Sequence, residues 1–236
     1  MQPAKIKVLL AEDDLVLGYV IKDNLEIGGY DVTLCPDGEE ALQQFQKQDF
    51  DICLLDVMMP SKDGFAVAKK IRGKSDVVPI LFITSKAMEE DKIKGFQSGA
   101  DDYIVKPFNM QELILRMEVF LRRTKKLHSE EAVTYQIGRL RFSFTDLKIY
   151  VDEQTINLTQ KEADLLLFLC KHPNKILKRE EVLLNVWGKD DYFLGRSMDV
   201  FITKLRKHFK ADPAIILETI HGIGFRFNVP EVLQVS

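Results

Sequence analysis

The sequence predicts an α/β doubly wound, five-stranded parallel-sheet domain followed by a smaller α+β domain. Three observations predict it. Short apolar runs alternate five times with amphipathic stretches in the first half; the pattern changes after a charged stretch near residue 125; and the last segment reads as a hairpin with glycines at its turn.

The strands of the first half are read at "IKVLLA" (6–11), "DVTLC" (31–35), "FDICLL" (50–55), "VVPILFIT" (77–84) and "DYIV" (102–105). Amphipathic stretches between them are bounded by turn signals such as "GGY", "PDG" and "SGADD". Repeated strand–helix alternation argues for a parallel sheet covered on both faces. A helix is predicted from about Met110 to Arg123, and "RRTKKLHSEEAVT" after it reads as a linker. The predicted division is a first domain over 1–124, a linker over 125–133 and a second domain over 134–236. In the second domain "YQIGRLRFSF", "LKIYVD" and "TINLT" read as short strands, followed by three helical segments and the hairpin "ILETIHGIGFRFN".

The 236 residues give two domains room for separate cores, and the chain carries a net charge of −3. That balance is uneven: residues 1–125 hold 17 Lys and Arg against 21 Asp and Glu, while residues 126–236 hold 16 against 15. Between Arg196 and Lys210 lie five basic residues and one acid, Asp199. No apolar run is long enough for a membrane span, and the N-terminal run passes into acids without a cleavage signal, so a cytoplasmic protein is expected. Cys35, Cys53 and Cys170 are widely spaced and suggest neither a zinc site nor a disulfide framework.

In parallel sheets of this kind, chemistry sits beyond the carboxyl ends of the strands. There the sequence places Glu12 and Asp13 after "VLLA", Asp56 after "ICLL", Thr84 after "LFI" and Lys106 after "YIV". Crowded carboxylates cost stability unless a cation neutralises them, so the set predicts a metal. Oxygen donors without nearby His or Cys favour Mg²⁺ over zinc. A carboxylate beside Mg²⁺ can attack a phosphoryl group and become an aspartyl phosphate, with Lys106 neutralising charge and Thr84 donating a hydrogen bond.

"LLAEDD", "LLDVMMP", "ITS" and "DDYIVKPF" resemble the signature set of bacterial response-regulator receiver domains, which have a flavodoxin/CheY-like fold. The resemblance implies that Asp56 is the phosphoacceptor. It also implies that Glu12 and Asp13, with Asp56 and the Met58 carbonyl, hold Mg²⁺. Thr84 and Tyr103 match the switch pair, and Lys106, before a cis Pro107, matches the phosphate-binding lysine. Asp14 is read as a helix N-cap and left out of the metal set. Enzymes of the haloacid dehalogenase type also phosphorylate a strand-end aspartate, but their second Asp would fall at Met58. The charged residues Lys92, Lys94, Asp101, Asp102, Glu112, Arg116 and Arg123 resemble those that pair across the receiver dimer of the OmpR/PhoB subfamily; Glu112 and Arg116, four apart, could instead bridge within one helix.

In "RSMDVFITKLRKHFK", Met198, Phe201, Ile202, Leu205 and Phe209 form an apolar stripe facing a core. The opposite face holds Arg196, Val200, Thr203 and Lys207, with Lys204 beside them, a set suited to a DNA major groove. With "LTQKEADLL", where Thr159 and Glu162 form a capping box, and the hairpin, residues 134–228 resemble the OmpR/PhoB winged helix-turn-helix domain. That resemblance implies a four-stranded sheet, three helices and a wing, with "WGKDDYFLGRS" as the loop that contacts RNA polymerase and His221 at the wing position where the family often carries arginine. The implied function is that of a two-component response regulator, a transcriptional regulator and not an enzyme. A sensor histidine kinase phosphorylates Asp56, controlling homodimerisation and DNA binding. Two other readings stay open: a phosphorylation-independent DNA-binding regulator whose receiver is a structural dimerisation domain, and an interaction module whose second domain binds protein.

Overall fold

The computed structural model describes residues 5–85, 95, 98–126, 133–188 and 192–235, without the side chains of 122–126 and 192–197. The chain divides into two compact units, Met1–Lys125 and Lys126–Ser236.

In the first unit β1 (Lys7–Ala11), α1 (Leu15–Ile27), β2 (Asp31–Cys35), α2 (Gly38–Lys47), β3 (Ile52–Asp56), α3 (Gly64–Arg72), β4 (Ile80–Thr84), β5 (Asp102–Val105) and α4 (Met110–Lys126) follow in order. The strands form one parallel sheet in the order β2-β1-β3-β4-β5. Strand order reverses between β1 and β3, so the crevice beyond their carboxyl ends is the switch point. The uninterrupted apolar runs of β3 and β4 are explained by their central places, where every residue is buried. Helix starts are set by short acids: the carboxylates of Asp14 and Asp37 each accept two backbone N–H groups of the first turn of α1 and α2, and that of Asp63 accepts the Ala66 N–H in α3. The run "VVPILFIT" enters the sheet later than its apolarity suggests. Pro79 has no N–H to give, and Arg72 Nη1 donates to the Val78 carbonyl at 2.6 Å, so β4 begins at Ile80. All three cysteines are buried as free thiols, and burial pushes Cys35 and Cys53 up to about 12, which leaves them protonated and inert.

The second unit opens with β6 (Thr134–Ile137), β7 (Leu140–Ser143), β8 (Lys148–Val151) and β9 (Gln154–Asn157). Next come α5 (Gln160–Cys170), β10 (Ile176–Lys178), α6 (Arg179–Trp187) and α7 (Tyr192–Phe209). Strands β11 (Ile216–Ile220), β12 (Gly224–Asn228) and β13 (Val232–Val235) complete it. The expected capping box forms: Thr159 Oγ1 accepts the Glu162 N–H, and Glu162 Oε2 accepts the Thr159 N–H. Met198, Phe201, Ile202, Leu205 and Phe209 are buried, so the apolar stripe of α7 faces the core as its periodicity requires.

Three features differ from the sequence expectation. The four-stranded sheet gains a fifth strand, β13, giving the order β13-β6-β7-β8-β9. The hairpin gains β10, giving β10-β12-β11. Both added strands are short and mostly exposed, so neither leaves the alternation of a half-buried strand in the sequence. Finally, "WGKDDYFLGRS" is not all loop. Gly188 ends α6 in the left-handed conformation (φ +79°), but helix resumes at Tyr192, and residues 189–191 lie outside the described set.

Candidate functional site

The ends of β1 and β3 bring three carboxylates together. Glu12, Asp13 and Asp56 each offer an oxygen, and these oxygens lie within 4.8 Å of one another. Glu12 is 0% and Asp56 4% exposed, while Asp13 stands at the exposed rim. Parallel pairing fixes their spacing, because Ala11 lies opposite Leu55, one residue before each acid. Lys106, just past the end of β5, reaches in from the other side: its Nζ donates to Asp56 Oδ2 at 2.6 Å and to Glu12 Oε1 at 2.7 Å. Asp56 Oδ1 accepts the Met58 N–H at 2.9 Å, so both oxygens of that carboxylate are held and its plane is fixed.

The electrostatics are those of a cluster short of positive charge. Burial pushes the Glu12 carboxyl up to about 7, against the opposing pull of Lys106, and Asp56 adds to the rise. Burial by itself would depress Lys106, but its bonds to Asp56 and Glu12 outweigh that and hold the ammonium above its ordinary value. Glu12 Oε2 is buried without a hydrogen-bond partner among the described residues. A buried carboxylate oxygen of that kind calls for a cation, and three hard oxygen donors without a nitrogen or sulfur ligand fit Mg²⁺.

Thr84 ends β4 and Tyr103 lies on β5, both buried. The Lys106–Pro107 peptide is cis. Arg116 on α4 bonds Asp102 at 2.8 Å and Glu112 at 2.7 Å, so these expected interface charges pair within the chain. Asp101, expected on the same charged surface, is turned inward instead at 0% exposure. Its Oδ2 takes Arg72 Nη2 at 2.6 Å and the Ile80 N–H at 2.9 Å, compensation that a desolvated carboxylate needs. Lys92, Lys94 and the side chain of Arg123 lie outside the described residues.

On α7, Thr203 and Lys207 are exposed and Val200 is half-buried, whereas the Arg196 side chain lies outside the described residues. Lys204, expected beside that face, leans over the Phe201 ring and toward Glu162, 3.5 Å from Oε1. His221 is exposed at the β11–β12 turn, beside Gly222 at φ +72°.

Residues 8–118 match the family model described as response regulator receiver domain, and residues 153–227 match the one described as transcriptional regulatory protein, C terminal. Transcriptional regulatory protein RprY of Bacteroides fragilis is 44% identical over 96% of both chains. The chain belongs to the OmpR/PhoB family of two-component response regulators. Transcriptional regulatory protein TrcR of Mycobacterium tuberculosis is 35% identical to the regulator over 96% of this chain and 88% of its own. Among solved structures, a single-residue mutant of RitR aligns with TM-score 0.71 and 25% identity over 94% of this chain and 99% of its own. Response regulator DrrB, an OmpR/PhoB homologue of Thermotoga maritima, aligns with TM-score 0.52 and 27% identity over 95% and 100%. The regulator thus joins a receiver domain to a DNA-binding transcriptional domain.

The sequence reading passed over one residue that shapes this site. A Cβ on Gly64, at the start of α3, would stand 2.2 Å from the Asp56 carbonyl oxygen. The "DG" at 63–64 reads as a turn signal; that the helix presses on the backbone of the phosphoacceptor candidate is visible in three dimensions alone.

Proposed function

We propose that the regulator is switched by phosphorylation of Asp56 and reads DNA with α7 and the β11–β12 wing. The carrying observation is the Asp56 carboxylate itself, fixed by Lys106 and the Met58 N–H beside the unpartnered Glu12 Oε2. Glu12, Asp13, Asp56 and the Met58 carbonyl would hold Mg²⁺, which when bound neutralises charge on the transferring phosphoryl oxygens. Asp56 supplies the nucleophilic oxygen: an O–P bond forms as the bond to the donor, a phosphohistidine of a sensor kinase or a small phosphodonor, breaks. Lys106 stays in reach to pair with the new phosphoryl group, so one ammonium serves the carboxylate before transfer and the phosphate after it. The protein catalyses no reaction on another substrate. Thermal unfolding should show the metal directly: Mg²⁺ raises the midpoint of wild type, and Glu12→Gln, which removes a charged ligand, shrinks that rise.

In this reading Thr84 moves toward the phosphoryl group and Tyr103 follows, altering the surface of β5 and α4. Lys92, Lys94, Asp102, Glu112, Arg116 and Arg123 then pair across a homodimer, the Arg116 bonds being exchanged between protomers; Asp101 acts from beneath by anchoring the start of β5. The working parts are a receiver over 1–124, a linker over 125–133 and a winged-helix domain over 134–236. No described helix is long and apolar enough to cross a membrane, and the proposed setting is the cytoplasm, with RNA polymerase as the transcriptional partner.

Arg196, Val200, Thr203 and Lys207 face DNA, with Lys204 at the side and His221 at the wing. Lys207→Ala should weaken binding to every duplex alike and reduce the salt slope by about 0.9; an unchanged slope by fluorescence anisotropy would remove Lys207 from the interface. The decisive experiment is selection of bound duplexes from a random library with and without phosphodonor. Enrichment of one sequence class that strengthens with phosphodonor is expected. Equal enrichment in both arms would favour a phosphorylation-independent regulator, and no enrichment would favour a protein-binding module.

A further inference from the structure

The reading helix carries one acid between Arg196 and Lys210, Asp199, and by helical spacing it lies at the edge of the face assigned to DNA, one turn before Thr203. Thr203, four residues on, lies one turn along the helix from it, and its Oγ1 donates to the Asp199 backbone carbonyl at 2.8 Å. A free carboxylate there would repel phosphates. It is not free: Arg179, the first residue of α6, grips it with both arms of its guanidinium, Nη1 to Oδ1 at 2.9 Å and Nη2 to Oδ2 at 3.0 Å. The same guanidinium stands over the Phe225 ring of β12, its central carbon 5.2 Å from the ring centroid. The Arg179 N–H donates to the Ile223 carbonyl at the wing turn at 3.2 Å. One residue therefore touches the reading helix through its side chain and the wing through both ring and backbone.

We propose that Arg179 is the positioning residue of the DNA-reading head: it sets the angle between α7 and the wing and cancels the charge of Asp199. The fork is planar and two-pronged, so it fixes orientation as well as distance. Gly224 makes the close approach possible, since a Cβ there would lie 1.9 Å from the Leu177 carbonyl oxygen and 3.1 Å from the Arg179 nitrogen. The inference rests on the reading that α7 and the wing face DNA.

The test uses the full chain, a duplex selected by the wild type and a scrambled duplex of equal length. Asp199→Asn removes a negative charge from the DNA side, which by charge alone would tighten binding. Positioning through the fork predicts the opposite, a loss of about tenfold on the selected duplex, within the range of coupling between contacting residues. Arg179→Lys, which keeps the charge but not the fork, should lose a similar factor, and the double variant should be no worse than the poorer single. Binding to the scrambled duplex and the unfolding midpoint should barely change. Tighter or unchanged binding by Asp199→Asn would overturn the proposal. So would an equal loss by Arg179→Lys on both duplexes, which would mark Arg179 as a direct phosphate contact. A wild type that does not prefer selected DNA would remove the reading-head assignment itself and this inference with it.

Discussion

Asp56→Asn is expected to abolish phosphoryl incorporation: wild type incubated with a small phosphodonor and Mg²⁺ should take up one acid-stable, base-labile phosphate per chain, and the variant should stay at background. The amide keeps the shape of the side chain, and its one oxygen can still accept the Met58 N–H, while its NH2 takes the place of the oxygen that accepts from Lys106. What it lacks is the anionic oxygen that the proposed attack on phosphorus requires. Phosphate analysis by acid and base stability, together with mass spectrometry of the intact chain, reads the result. Labelling that persists in Asp56→Asn would move the acceptor to another residue and with it the input of the switch.

Gly64→Ala carries the largest expected cost among single-methyl changes at this site. The added Cβ meets the Asp56 carbonyl oxygen at 2.2 Å and the Val57 Cα at 3.0 Å, backbone atoms that cannot rotate aside. The Gly64 N–H also donates to the Val57 carbonyl at 3.0 Å, so α3 cannot back away without breaking that bond. Overpacking against a rigid neighbour costs about 1–3 kcal/mol, and here the upper end is expected because the obstacle is main chain. The receiver should unfold at a midpoint roughly 10 °C lower, on a scaling of about 4 °C per kcal/mol, where the ranges for smaller and larger domains meet. Displacement of the Asp56 backbone should also slow phosphorylation under conditions where the variant is fully folded. A midpoint and rate equal to wild type would mean that α3 yields, and that Gly64 does not fix the site.

Much of this architecture was legible because its signals are local. Apolar runs marked β3 and β4 as strands, and Asp14 and Thr159 announced helix starts that the structure contains. The strand-end acids could be named since a parallel sheet brings carboxyl ends to one edge. Other features left no such trace. The pattern in "VLQV" could not reveal β13, because an exposed edge strand has no face to bury. Nor could charge runs tell inward from outward: Asp101 and Asp102 are adjacent acids, yet one is sealed under Arg72 and the other pairs with Arg116 on α4. Lys204 likewise sits where helical counting puts it, but its flexible stem carries the ammonium sideways to Glu162.

Residue order and type suffice for the five strands of the receiver, the core-facing stripes and the set of groups at the carboxyl edge of its sheet, since each depends on periodicity or on position relative to a strand end. Which charges meet is settled by packing in three dimensions. Lys106 finds Asp56 across 50 residues and Arg179 finds Asp199 across 20, in each case because packed backbone elements bring the two side chains within hydrogen-bond distance. Such pairings depend on distances of a few tenths of an ångström set by sheet register and helix packing, which residue type and spacing do not encode.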